Sequence, residues 1–217
     1  GYKKQGRSRK EFDAWAAKEL RPIVNRVAEE SIKNKTLQPQ ASYGYWKAAG
    51  QGNDLVLFAE DGEEEVARFA LPRQDKKDGL CIADFVRDVD SGQRDVVALQ
   101  VVTMGQRVSE AARELFENDK YQDYLYLHGF GIEMTEALAE YIHKRIRTEL
   151  GFGAEDARDA AKLLKQEYRG ARYSFGYPAC PNLGDQRVLL ELLGADGIGV
   201  QMADEDQLHP EQSTSAL

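Results

Sequence analysis

Strand-like and helix-like sequence are segregated along this chain, and that segregation limits its fold more than any other feature. Four short segments rich in β-branched and aromatic residues, Ala41 to Trp46, Leu55 to Ala59, Val66 to Leu71 and Val96 to Val102, precede the long helical stretch. Turn signals at Gly52-Asn53-Asp54 and Asp61-Gly62 separate several of them, which predicts hairpins. From Ser109 to Leu150 the pattern becomes helical, with Leu138, Tyr141, Ile142 and Ile146 among the residues of its apolar face. A doubly wound fold would alternate strands and helices. Strands gathered ahead of long helices predict an α+β fold, a mainly antiparallel sheet flanked by helices, in a single domain.

The remaining elements follow from local signals. Ser8 followed by Glu11 fits a capping box and opens a helix on which Phe12, Trp15, Ile23, Val24 and Val27 share a stripe, with Pro22 kinking or dividing it. Gly129 and Gly131 interrupt the later helical face and either bend it or let another group approach. Asp156 to Tyr168 reads as an amphipathic helix ending near Gly170, and Asp185 to Leu193 as a shorter one. Ile198 to Met202 is a candidate strand, and Ser213 to Leu217 reads as the opening of another.

Composition removes several function classes. At 217 residues with 42% hydrophobic and 30% charged residues, the chain is that of a soluble globular protein with room for one well-built core. No apolar run approaches the roughly 20 residues that cross a bilayer, and no signal-peptide pattern follows the basic N-terminus, so a cytoplasmic protein without a membrane partner is expected. The net charge of -8 argues against a nucleic-acid partner. Lys3, Lys4, Arg7, Arg9 and Lys10 read as a solvated helix entrance, and Glu63-Glu64-Glu65 as the rim of a hairpin. Cys81 and Cys180 are far apart and the three histidines form no i, i+4 pair, so neither a metal site nor a disulfide framework is supported. Cys180, flanked by prolines, reads as a small buried thiol.

The strongest candidate for chemistry is Arg172-Tyr173-Ser174-Phe175-Gly176-Tyr177-Pro178-Ala179-Cys180-Pro181. Its prolines fix φ, Gly176 permits close backbone approach, and the Arg172 guanidinium is a planar fork suited to a carboxylate or phosphate. Taken without context, the same loop also reads as a rigid connector whose arginine caps a helix or pairs with a surface acid.

The order R-x-x-x-G-Y-P-A-C-P resembles the signature loop of the S-adenosylmethionine-binding activation domain of cobalamin-dependent methionine synthase. The resemblance continues, in the family's order, through Thr36-Leu37-Gln38-Pro39, Leu80 to Val86, Glu136 to His143 and Gln207 to Ser213, and so covers nearly the whole chain. It implies S-adenosylmethionine as the ligand, with Arg172 at the methionyl carboxylate, Ser174, Gly176 and Tyr177 supplying backbone close to the ligand, and Glu136 facing them from a helix. It names no catalytic acid or base and no metal ligand.

The implied activity is presentation of the sulfonium methyl group for reductive methylation of oxidised cobalamin. The implied partners are a cobalamin-binding domain of the same enzyme and a flavodoxin-like reductant. Asn182-Leu183 stands where some members carry an acid or Asp-His. Family members also have an upstream Asp-x-x-Pro segment and a downstream tyrosine-containing strand that this chain lacks, so residues 1–217 are expected to be an activation domain trimmed at both ends. Two other readings are a ligand-free interaction module with the same fold and a free-standing enzyme that cleaves S-adenosylmethionine.

Overall fold

The computed structural model of the chain describes residues 6–75, 78–163 and 165–217. Its centre is a five-stranded antiparallel sheet in the order β3-β2-β1-β4-β7, built from β1 (Gln40–Gln51), β2 (Asp54–Phe58), β3 (Glu65–Ala70), β4 (Asp95–Thr103) and β7 (Ser213–Ala216). The four strands expected before the helices are all present. Gly52 (φ 62°) turns β1 into β2, and in the β2–β3 turn Asp61 Oδ1 accepts the amide hydrogens of Glu63 and Glu64. The segment Ser213 to Leu217 joins the sheet through β7, which pairs with β4 from Gln100↔Ala216 to Thr103↔Ser213.

Alternation along β4 shows why the sheet is covered on both faces. Leu99 and Val101 enter the main core with Leu55, Leu57, Phe69 and Leu189, whereas Val102 packs with Ala139, Ile142 and Ile146 of the long helix. Phe69 and Phe175 meet in the main core with ring centroids 6.0 Å apart, which ties the signature loop to the same face as β3.

Pro22 divides the first helical stretch into α1 (Arg9–Glu19) and α2 (Arg21–Lys33), with Leu20 shared between them. The Ser8 capping box is formed in both directions, yet α1 buries none of its residues, and of the expected stripe only Val27 is buried. Lys3 and Lys4 lie outside the described residues. The stretch from Ser109 to Leu150 is two helices, α3 (Gln106–Glu117) and α4 (Tyr121–Glu149), because Asp119 takes a left-handed φ of 58° between them. α4 runs without a break past Gly129 and Gly131. Gly131 serves close approach, since a Cβ there would stand 2.9 Å from Gln212 Cγ and 3.2 Å from Val108 Cγ2.

Two expectations fail. Between Asp156 and Tyr168 the described residues form one helical turn, α5 (Ala160–Leu163). Asp156 is extended and held by Arg147, Gln166 has φ 61°, and Ala157 N–H donates to Glu167 O, so this segment closes on itself as a loop. Beyond α6 (Gln186–Leu193), Ala195 to Ile198 is a 3₁₀ turn, and only β5 (Gln201–Met202) is a strand, paired with β6 (Leu208–His209). Among the described residues no helix is long and apolar enough to cross a membrane.

Candidate functional site

The site is assembled where the chain, after leaving α4, runs back along it. Glu136, Glu140, His143 and Arg147 are spaced by four, three and four residues and therefore share one face of α4. The returning chain meets that stripe in reverse order. Arg147 donates to Asp156 through Nε (3.0 Å) and Nη2 (2.7 Å), a bidentate pair that is almost fully buried on both sides. The Tyr168 ring lies 4.0 Å from the Arg147 guanidinium carbon and meets the His143 ring edge-on at 5.3 Å. Arg172 then reaches Glu136 and Glu140, its Nη2 donating at 3.2 Å and 3.0 Å.

Arg172 lies deeper than the two acids that it meets. Its side chain is 13% exposed, whereas Glu136 and Glu140 are about half exposed, so the cation is sunk beneath two solvent-facing acids. Burial alone would lower its pKa, but hydrogen bonds to Glu140 and Glu136 outweigh burial and hold it above its ordinary value. One nitrogen serves both acids. Nε and Nη1, on either side of it, are each buried without a hydrogen-bond partner among the described residues. Arg172 and Tyr173 also line a cavity of about 400 Å³, walled further by Ala98 and Gln100 from β4 and Ile146 and Arg147 from α4.

The loop beyond Arg172 is pinned at several points. It does not simply connect two helices, as its sequence suggests, but is hydrogen-bonded to the sheet margin, where Tyr173 and Leu217 exchange both backbone hydrogen bonds and Ser174 bridges Ala216. Gly176 N–H donates to Cys180 O, Cys180 N–H donates to Tyr177 O, and Cys180 Sγ donates to Ser174 O at 3.0 Å. This closes a turn in which Gly176 holds φ 88°, a region that side chains resist. Burial pushes the Cys180 thiol up to about 11, so it is a structural donor and not a nucleophile at neutral pH. Tyr177 is mostly exposed, and Ser174 contributes its carbonyl to the turn.

Of the residues expected from sequence, Arg172 and Glu136 are therefore in direct contact, and Ser174, Gly176 and Tyr177 share the pinned turn that follows. Glu140 was missed. Its signal was present in the sequence, because it lies one helical turn beyond Glu136 on the same face.

These features define a class: an α+β domain in which a rigid loop beneath one sheet edge presents a buried guanidinium to two helical carboxylates. Residues 6–217 match the family described as vitamin B12 dependent methionine synthase, activation domain, and the chain belongs to that family. Methionine synthase of Mycobacterium tuberculosis is 47% identical over 210 residues, covering 91% of this chain and 17% of that protein. The Mycobacterium leprae methionine synthase is 47% identical over 188 residues, covering 81% of this chain and 16% of its own length. The chain thus spans about a sixth of the curated relatives that it matches. A crystal structure of the MetH reactivation domain bound to AdoHcy superposes with a TM-score of 0.86 at 25% identity, covering 92% of this chain and 64% of that one.

Proposed function

We propose that this domain binds S-adenosylmethionine at Arg172 and holds its methyl group for the reactivation of methionine synthase. The observation that carries the reading is the partly used guanidinium of Arg172. A ligand carboxylate can be received by one of the two unpartnered donors, Nε or Nη1, without breaking the hydrogen bonds of Nη2 to Glu136 and Glu140. The two glutamates, held within a few ångströms of that carboxylate position, suit the ligand's ammonium group. The backbone of Ser174, Gly176 and Tyr177, fixed by the Cys180 turn, offers a rigid wall to the nucleoside part. The AdoHcy in the related reactivation domain supports a ligand of this kind.

In this reading the protein's contribution is orientation. The site fixes a bound methyl donor relative to a second domain, so proximity replaces a bimolecular encounter. Cobalamin, held by another domain of the same enzyme, supplies the nucleophile, and a flavodoxin-like protein supplies the electron that restores it. Orientation of a methyl donor needs no proton transfer from the protein, so no general acid or base is assigned. Calorimetric titration of the 217-residue chain with S-adenosylmethionine and with S-adenosylhomocysteine tests the reading. Saturable one-to-one binding of both is expected. Absence of binding by either would leave a ligand-free interaction module, and consumption of S-adenosylmethionine by the chain alone would point to a free-standing enzyme.

A further inference from the structure

We infer that Tyr168 is a positioning residue for the ligand-binding guanidinium of Arg172, an inference that rests on the proposed function. Between Asp156 and Arg172 the described residues form one helical turn and a loop closed by Ala157 N–H on Glu167 O, and contacts with α4 seat that loop. Those contacts are three rungs on one helical face. The first is the bidentate pair of Arg147 with Asp156, the second the Tyr168 ring set against Arg147 and His143, and the third Arg172 against Glu140 and Glu136.

The middle rung has a specific geometry. The Arg147 guanidinium carbon is 4.0 Å from the ring centroid, and the same guanidinium is locked by Asp156, so the ring rests on a cation that cannot move away. His143 closes the other side with rings at 83° and centroids 5.3 Å apart. Only Arg169, Gly170 and Ala171 separate Tyr168 from Arg172, and Gly170, at φ 89°, turns the chain between them. On the far side, Tyr173 is fixed by its two backbone bonds to Leu217. Arg172 is therefore suspended between a backbone anchor on the sheet and a ring anchor on α4. The sheet anchor fixes where its Cα lies. The ring anchor lies on the helix that carries its acids, and so sets how far the guanidinium reaches toward Glu140 and Glu136.

Calorimetry with S-adenosylhomocysteine on Tyr168→Leu, Tyr168→Phe, Arg172→Ala and the Tyr168→Leu, Arg172→Ala double variant tests this, each shown to be folded by circular dichroism. Tyr168→Leu is expected to weaken binding about five- to tenfold, as loss of a partly buried cation–π contact does, and Tyr168→Phe, which keeps the ring, to stay within about twofold of wild type. In the Arg172→Ala background the Tyr168→Leu loss should disappear, because the group it positions is gone. If Tyr168→Leu does not fold, Tyr168→Met, which fills the space without a ring, carries the same expectation. Wild-type affinity in the Leu or Met variant, or a loss that persists undiminished without Arg172, overturns the inference. Wild-type affinity in Arg172→Ala alone overturns the proposed ligand site instead.

Discussion

In the proposed site Arg172 does two things at once, bonding two glutamates through Nη2 and keeping Nε and Nη1 for a ligand, and its burial strengthens both. Arg172→Ala is expected to weaken S-adenosylmethionine binding by about 1.5–3 kcal/mol, the scale of a lost charge-assisted hydrogen bond, while the domain stays folded. Arg172→Lys should recover only part of this, since a single ammonium cannot engage Glu140, Glu136 and a carboxylate from separate nitrogens of one rigid plane. Calorimetry on the two variants and wild type decides it, and equal affinities would remove Arg172 from the site. Gly176→Val combines a φ of 88° with a Cβ 3.0 Å from Leu183 Cδ2, so it should distort the turn closed by Cys180 and abolish measurable binding. Retained affinity there would make the loop a tolerant connector. The loop and Arg172 were legible because the residue types themselves announce rigidity and a cation. Glu140 was less so, because a helical carboxylate has no distinguishing mark until the cation opposite it is located.

At the level of elements, the sheet and the long helix were readable because β-branched and aromatic runs bounded by turn signals mark β1 to β4, and an apolar helical face marks α4. The stretch from Asp156 to Tyr168 was not, because its apparent helical period is overridden from outside: Arg147 takes the Asp156 carboxylate, and the Tyr168 ring is drawn onto α4. Tertiary contacts decide such a segment, and local propensity does not see them. The two glycines of α4 allow a paired test of the same distinction. Gly129 has open space where a Cβ would stand, so Gly129→Ala should stabilise the domain by about 0.5–1 kcal/mol through helix propensity alone. Gly131 faces the buried Gln212, whose carbonyl and side chain already bond Thr135, Met104, Ser109 and His128. Gly131→Ala must push this network aside and should destabilise by about 1–3 kcal/mol. Urea unfolding of both variants reads the difference, and the same sign of change in the two would show that the packing at Gly131 yields more easily than its distances suggest.

For the molecule as a whole, the α4 stripe brings ionisable groups together beneath the sheet, and its pH response follows from their neighbours. Burial first, and then the positive charge of Arg147, lower the pKa of His143 to about 4, with Arg172 acting in the same direction and Glu140 and Asp156 opposing. The folded chain therefore keeps His143 neutral down to about pH 4, whereas the unfolded chain protonates it near its ordinary 6.5. Between these values the unfolded state binds the extra proton, so stability rises with pH across the window and is lost on acidification, by an amount on the order of 1–2 kcal/mol once solvent beside the ring is allowed for. Asp156 acts in a separate and lower window. Its hydrogen bond from Arg147 holds its pKa below the ordinary 3.8, so its contribution is complete above that value and disappears only as pH falls through the folded pKa. Thermal unfolding of the wild type should accordingly show a first decline from about pH 6.5 to 4 and a steeper one below it. In His143→Gln, which cannot titrate, the first decline should flatten while the second remains. An unchanged slope between pH 6.5 and 4 in that variant would assign the first window to other groups and remove His143 from the acid sensitivity of the domain.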